Sequence, residues 1–501
     1  MNNNIPKIWK YIGFIALLVL IALPIFSYLD GMSIKLWDES RLAENSLEMY
    51  QSHKWIVTTF EWVPDMWNTK PPLEIWLQVL SMHIVGVNEF GVRMPSAIAG
   101  MLTCLALIWF FNKKGHFWLG IISCLILVTT IYTSIFHGAR SGDYDAVLTL
   151  FTTLYTLLYF LYIETGERKY FNRAVVFIIL ATLTKGVAGL MLLPGLLVYT
   201  LYARKTLATL KMPDFYIGTG AFVVLVGGYY LLREHYNPGY IAAVKQNELG
   251  GRYNTTLEKH VGDFWYYYHT IRENFDRFYV CVLPGIAAGM FLKDKWLRRA
   301  ILYITIVVFF HWLILSCGAT KIEWYVMPLM PLVSVLAAMF IYSIFQIIAN
   351  VEALNTYFVQ PVFAFAFLFI VFYQPYKAKM DKILLPNNGE YISEMATFLQ
   401  GALHGKRNLD GYNVCWFNYH PEQDWYINIF KMRKQPITKL PFIPDDMNGK
   451  ILAVYDDGLK TYVETHFINK KLQDYGFISV YRMESNKMDT ALVRKAMMAK
   501  H

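Results

Sequence analysis

The sequence predicts a polytopic α-helical membrane protein with a small α/β domain outside the membrane at its C-terminal end. Three observations lead there. Of 501 residues, 55% are hydrophobic and 17% charged, where an average soluble domain carries about 25% charged residues. Apolar runs at residues 11–28, 215–232 and 325–348 contain almost no ionisable side chain, and about 20 helical residues cover the hydrocarbon core. Beyond residue 375 charge becomes frequent and the hydrophobic runs shorten to strand and helix length.

Each element follows from the distribution of charge. The first apolar run comes after Lys7 and Lys10 and is followed by Asp30, Met32 and Lys35 rather than a small-x-small cleavage site. It reads as an uncleaved first span. Cationic clusters recur at Lys113/Lys114, Arg168/Lys169/Arg173, Arg204/Lys205/Lys211 and Lys293/Lys295/Arg298/Arg299. Positive residues mark the cytoplasmic side, so each stretch between clusters must cross twice. Spans are then expected near 10–29, 92–112, 117–136, 145–163, 172–185, 187–203, 214–233, 277–292, 298–316, 324–348 and 357–375, about 11 in all. The net charge of +9 is thereby accounted for by topology, without nucleic acid. The five cysteines include no CxxC pair, which implies neither a disulfide framework nor a metal cluster.

Residues 72–87 are apolar enough to be taken for a span, but Glu74, Gln78 and Ser81 fall on one helical face. An amphipathic helix lying at the outer surface is the expectation. The outer loops are then 30–91, 137–144, 234–276 and 317–323, with a tight turn at Lys185. They hold nearly every charge that topology leaves over. The spans avoid charges, which cost about 2.5–3.5 kcal/mol each at mid-membrane on insertion scales. That pattern argues against a proton- or ion-coupled transporter.

Within the first loop, residues 39–50 favour a helix that places Arg41, Glu44 and Glu48 on one face, with Asp38 at its start. Asp38 read singly is an N-cap. The second loop carries Asp143 and Asp145, and Asp145 read singly caps the span that follows. As a DxD pair the two carboxylates suggest a metal holding a phosphate, although two carboxylates rarely complete a divalent-ion shell. Lys185 and Lys321 are snorkelling lysines on the simplest reading. Arg252, His260 and the aromatic run Phe264-Trp265-Tyr266-Tyr267-Tyr268 suit an interfacial belt. Together, carboxylates, cations and aromatics from distant loops converge on one membrane face. Carboxylates can deprotonate a hydroxyl, and Lys and Arg can hold a phosphate leaving group. A reaction on a phosphorylated lipid follows.

The run Asp38-Glu39-Ser40-Arg41-Leu42-Ala43-Glu44, with Lys70-Pro71-Pro72-Leu73, resembles the first-loop signature of GT-C glycosyltransferases. The lipid A aminoarabinose transferases and the protein O-mannosyltransferases are the nearest groups. Arg93-Met94-Pro95-Ser96-Ala97, Asp145-Ala146, Thr184-Lys185-Gly186 and Thr320-Lys321 with Tyr325 and Pro328 are similar to later motifs in the same order. The resemblance covers roughly residues 30–330. It implies a polyprenyl-phosphate sugar donor, transfer on the periplasmic face, and a lipid, glycan or protein acceptor. It implies Asp38 as base with Glu39 beside it, Asp145 as the second-loop acid, and Arg41, Lys70 and Tyr325 at the lipid phosphate. Lys321 is placed with these phosphate ligands, and Lys185, His260, Trp265 and Asp143 at the substrate. Two positions depart from the pattern: Thr69 stands where an acid often precedes Lys-Pro-Pro, and Val187 where Pro often follows Lys-Gly. The family includes metal-independent members, so no cofactor is required, and a divalent metal stays open.

Residues 1–375 therefore read as a transmembrane catalytic domain and 376–501 as an extracytoplasmic α/β domain, in a Gram-negative inner membrane. Strands are expected at 413–419, 449–455 and 476–481, and helices at 390–403, 422–430 and 459–467. Two other functions remain alongside transfer from a lipid monophosphate: a lipid-glycan flippase or transporter, and a ligase using a diphosphate donor.

Overall fold

The computed structural model describes residues 7–134, 136–250, 260–351, 359–384 and 393–486. Arg252, residue 135, residues 357–358 and residues 390–392 of the expected elements lie outside them. The chain forms two compact units. One comprises Met1–Leu29, Ser52–Gly86 and Phe90–Leu385, and the other Asp30–Gln51, Val87–Glu89 and Pro386–His501. The first eight helices in chain order are α1 (Lys7–Phe26), α2 (Asp38–Ser52), α3 (Leu73–Val85), α4 (Glu89–Asn112), α5 (Phe117–Thr129), α6 (Tyr144–Thr165), α7 (Arg168–Lys185) and α8 (Leu193–Tyr202).

In the first unit, six helices among the described residues are long and apolar enough to cross a membrane: Glu89–Asn112, Tyr144–Thr165, Arg168–Leu190, Pro213–Tyr236, Lys295–Cys317 and Glu323–Ala349. Large side chains such as Leu231, Leu283, Phe291 and Ile370 face outward, an exterior suited to lipid and not to water. This is a multi-pass membrane protein. Each of the six coincides with an expected span. The expected spans at 187–203 and 277–292 are built differently. Gly186, at a left-handed φ of 56°, ends α7, and a 3₁₀ segment Gly186–Leu190 leads to the 10-residue α8. Likewise a 3₁₀ segment Asp276–Cys281 precedes a 9-residue helix, Val282–Met290. Ten helical residues rise about 15 Å, half the hydrocarbon thickness. The short helix Val282–Met290 packs through glycine: a Cβ on Gly285 would lie 1.8 Å from the Leu336 carbonyl oxygen. Such close backbone approach is how membrane helices associate without a hydrophobic driving force.

Helix α3 occupies the segment expected at the surface, with an inverted polarity. Glu74, Gln78 and Ser81 are buried, while Leu80 and Ile84 are exposed. An apolar surrounding suits the outward Leu80 and Ile84, which then meet no water. Gln78 Nε2 donates to the Gly142 carbonyl at 2.9 Å. Two arginines seal the chain leaving α1: Arg93 Nη1 donates to Leu29 O at 2.7 Å and Arg140 Nη2 to Tyr28 O at 3.4 Å. Both neutralise carbonyls past the C-terminal end of a helix, where cations are favoured.

The second unit carries a five-stranded sheet of order β4-β3-β5-β7-β6. The strands are β3 (Tyr412–Cys415), β4 (Thr438–Leu440), β5 (Ile451–Val454), β6 (Phe467–Tyr475) and β7 (Ile478–Asn486), after a small hairpin, β1 (Thr59–Phe60) and β2 (Val63–Pro64), in the first unit. β3 pairs in parallel with β4 and β5, whereas β7 runs antiparallel to β5 and β6. The helices are Glu394–Leu403, Pro421–Met432 and Asp457–His466. Cys415, Leu452, Val454, Val463, Phe467 and Tyr481 contribute to the core. β4 and β6 were not expected from the sequence. β6 is a mostly exposed edge strand carrying Lys470, Lys471 and Asp474, a composition that protects an open edge and erases the apolar alternation by which strands are recognised.

Candidate functional site

The chemistry in the first unit gathers where the loop before α6 meets the end of α7. Asp143 is the N-cap of α6, its Oδ1 accepting the Tyr144 N–H at 2.6 Å. The capping role considered for Asp145 thus belongs to Asp143. Asp145, two residues on, turns inward, and its Oδ1 accepts from Lys185 Nζ at 2.6 Å. The pair is buried, with side chains 2% and 8% exposed. His137 completes the group: its Nδ1 contacts the Asp143 carboxylate and stands 3.3 Å from Asp145 Oδ2. The imidazole lies flat on the Trp324 indole, ring centroids 3.6 Å apart and planes at 7°. Next to Trp324, the Tyr325 ring centroid is 5.9 Å from Lys185 Nζ. With His137 protonated, two buried carboxylates meet two cations. Burial opposes ionisation of Asp143, but the His137 charge and hydrogen bond outweigh it and hold the carboxyl below its usual range. For a divalent ion, His137 and Asp143 offer ligand atoms in this unit, whereas Asp145 is already paired with Lys185.

Local structure explains the placement. His137 adopts a left-handed φ of 52°, uncommon for a residue with a side chain and often associated with function. Ser96 Oγ donates to the Asp143 carbonyl at 3.1 Å, which ties the loop to α4. Tyr144 exchanges hydrogen bonds of 2.8 and 3.0 Å with the Asn68 side chain. This draws the segment around Lys70 toward the start of α6, where Lys70 Nζ lies 5.4 Å from the Tyr144 ring centroid. Lys70 faces the Glu248 carboxylate at 3.6 Å, both side chains mostly buried. An ammonium in this setting can bind an anion. Glu74, one turn on, is fully buried, and burial together with the Asp143 charge pushes its carboxyl well above the ordinary range.

Other expected residues of this unit take different surroundings. Lys321 Nζ donates to the carbonyls of Leu315 and Ser316, at 3.0 and 2.6 Å, at the end of the helix Lys295–Cys317. Burial holds its ammonium below the usual lysine range. The His260 carbonyl accepts the Lys321 N–H at 3.0 Å. Trp265 is half exposed in an aromatic cluster with Phe264, Tyr268 and Trp312.

In the second unit, Asp38, Glu39 and Arg41 lie in the first turn of α2. Glu39 is buried, and its Oε2 accepts the Lys35 N–H at 2.8 Å, which holds the chain entering the helix. Arg41 Nη1 donates to Tyr419 Oη at 3.2 Å. Glu44 is buried and accepts from Asn428 Nδ2 at 3.1 Å on both oxygens, and burial raises its carboxyl well above the usual range.

Comparison with known proteins follows this geometry. Residues 69–229, which contain Lys70, Asp143, Asp145 and Lys185, match the family model described as dolichyl-phosphate-mannose-protein mannosyltransferase. An undecaprenyl phosphate-alpha-4-amino-4-deoxy-L-arabinose arabinosyl transferase of Shewanella sediminis is 26% identical over 339 residues, 64% of this chain and 59% of that one. A protein of Aquifex aeolicus is 25% identical over 375 residues, 74% and 72% of the two chains. The chain thus spans between 59% and 72% of the length of these two relatives. Among solved structures, ArnT from Cupriavidus metallidurans bound to undecaprenyl phosphate superposes with a TM-score of 0.68 at 14% identity, over 95% of this chain and 98% of that one. The oligosaccharyltransferase of Archaeoglobus fulgidus tethered with an acceptor peptide gives 0.53 at 13% identity, over 88% and 65%.

The chain has a GT-C fold.

Within this fold, four of the expected site residues, Asp143, Asp145, Lys185 and Tyr325, come together in the first unit. Two neighbours of theirs, His137 and Trp324, were passed over in the sequence. A histidine beside Gly138 at a loop start and a tryptophan before Tyr325 are unremarkable as residues. The only advance signal was that each adjoined a motif. What joins them is the stacking of one ring on the other, between a loop and the 3₁₀ segment Glu323–Leu329.

Proposed function

We propose that the chain is a membrane glycosyltransferase that moves a sugar from a polyprenyl-phosphate carrier to a hydroxyl acceptor on the periplasmic face of the inner membrane. The acceptor is a lipid, glycan or protein. The observation that supports this most is Lys70, whose ammonium opens the Lys-Pro-Pro motif and lies mostly buried against the Glu248 carboxylate, an anionic partner that a phosphate can replace. In this reading the acceptor hydroxyl oxygen attacks the anomeric carbon of the donor sugar. The bond from that carbon to the phosphate oxygen breaks, and the lipid phosphate leaves with the electron pair. Asp38 takes the hydroxyl proton, with Glu39 holding the turn from which it projects. The resemblance assigns Arg41 and Lys70 to the charge of the departing phosphate and the Tyr325 hydroxyl to a hydrogen bond with it, while Lys321, with two of its three donors on the Leu315 and Ser316 carbonyls, has one left to offer. Asp145, paired with Lys185 and His137, holds the loop that carries Asp143, and the sugar contacts assigned to Asp143, Lys185, His260 and Trp265 come from the sequence alone. Direct displacement inverts the anomeric configuration.

The test is transfer by the purified protein in detergent, from labelled undecaprenyl-phosphate sugars into a crude envelope extract. Asp38→Asn should lower the rate by about 10²–10⁴-fold, the usual contribution of a positioned base, with the unfolding temperature unchanged. Lys70→Ala should abolish donor turnover. Full activity in both variants would overturn the assignment. A donor that binds tightly to wild type and is never transferred would point to lipid-glycan translocation instead.

A further inference from the structure

An exposed aromatic pair in the second unit is used by neither the fold nor the chemistry above. Trp37, immediately before Asp38, is 64% exposed and holds a left-handed φ of 79°. Its ring meets that of Tyr419, centroids 5.7 Å apart with planes at 32°. Tyr419 follows Asn418, which is also left-handed at φ 68°, and its hydroxyl accepts from Arg41 Nη1 at 3.2 Å. The Trp37 carbonyl is held by Ser40 Oγ at 2.9 Å and by the Arg41 N–H at 3.0 Å. One unfavourable backbone conformation, that of Trp37, therefore presents a large indole to solvent. Exposure of that ring stabilises nothing in the fold, and strain of this kind persists where surrounding contacts over-determine it for a purpose.

We propose that Trp37 and Tyr419 form a saccharide-binding platform for the acceptor, an inference that rests on the transferase reading. A pyranose has one face of C–H bonds and a rim of hydroxyls. The indole and phenol faces suit the first, and the Tyr419 hydroxyl suits the second. The position selects acceptor over donor. The acceptor hydroxyl must reach the Asp38 carboxylate, and Trp37 is the residue next to it in the chain. The occupant is thus a sugar residue of a glycolipid or glycan, with the hydroxyl to be modified directed past Trp37.

The experiment titrates the purified full-length protein with chito-, manno- and arabino-oligosaccharides, read by saturation-transfer NMR and tryptophan fluorescence. At least one series should saturate wild type, with transfer concentrated on protons of one sugar face. Trp37→Ala should weaken that binding tenfold or more, Trp37→Phe should retain most of it, and Tyr419→Ala should lie between. In turnover with the bound saccharide as acceptor, Trp37→Ala should raise the acceptor KM tenfold and leave the donor KM within twofold. The proposal is overturned if no oligosaccharide binds wild type, if Trp37→Ala binds as wild type does, or if donor and acceptor KM rise together. It is also overturned if Trp37 fluorescence responds only to lipid nanodiscs and not to sugars, which would make the pair a membrane anchor. Oligosaccharide binding without any transfer from undecaprenyl-phosphate donors would defeat the transferase reading and leave the saccharide site standing.

Discussion

Removing the charge of Lys185 should cost the fold several kcal/mol, and removing the charge of Asp145 as well should add little to that loss. Lys185 Nζ stands 2.6 Å from Asp145 Oδ1 with both side chains almost fully buried, so water screens neither group. At that separation the attraction is about 6 kcal/mol for an effective dielectric constant of about 20. Deleting one member of a buried pair typically costs about 3–5 kcal/mol, because the other is left charged and dry. His137, 3.3 Å from Asp145 Oδ2, remains as a partner after Lys185→Met, which places that variant near the lower end, about 3 kcal/mol. Asp145→Asn strands the ammonium and should cost a similar amount. In the double variant no charge is stranded, and its destabilisation should fall short of the sum of the two single losses by about 2–3 kcal/mol. Equilibrium unfolding in mixed micelles of fixed composition measures all four corners of this cycle. A coupling energy below about 0.5 kcal/mol, the ordinary scatter for independent sites, would refute the argument that the pair is a dry, mutually dependent unit.

Two further outcomes are expected from local structure. The Glu89 carboxylate hydrogen-bonds His404 at 3.0 Å and raises the imidazole pKa above its usual value, so protonated His404 stabilises the second unit. A raised folded value means the contribution is complete below an unfolded pKa of about 6.5 and lost as pH climbs through the folded value. The unfolding-temperature gap between wild type and His404→Gln should be widest near pH 6 and close by about pH 9, and a gap that widens with pH would refute the assignment. Gly142→Ala would place a methyl 2.3 Å from Val92 Cγ1 and 3.2 Å from the Val92 carbonyl oxygen. It should destabilise by about 1–3 kcal/mol in thermal unfolding, and adding Val92→Ala should restore much of the loss. No rescue would mean that the side-chain clash is not the cause.

Helices of the membrane unit were legible because lipid imposes a one-dimensional rule: a segment long and apolar enough to cross must be helical. Residues 92–112, 145–163 and 298–316 obey it and appear as continuous helices, whereas 324–348 begins with the 3₁₀ segment Glu323–Leu329. The rule says less about segments packed inside protein, where backbone need not be helical throughout. Hence the 3₁₀ turns at Gly186–Leu190 and Asp276–Cys281 were hidden in apolar runs. In the sheet, β3, β5 and β7 announced themselves by buried branched residues, while β4 and β6 are outer strands held by pairing and not by pattern.

Motif order carried the site as far as residue identity can. Asp38, Lys70, Asp145, Lys185 and Tyr325 were marked by the residues around them in the chain. Their partners were not, because partnership is a matter of distance, and distance across loops is set only when helices pack. That is how Lys185 reaches Asp145 rather than solvent, Lys70 meets Glu248, and Lys321 spends its ammonium on the carbonyls of Leu315 and Ser316. It is also how His137 comes to lie on Trp324. Composition and periodicity determine which segments leave water, since burial free energy adds along the chain. Which charges then neutralise one another is decided by the tertiary structure, because Coulomb energy in a dry interior depends on separations that no linear pattern encodes.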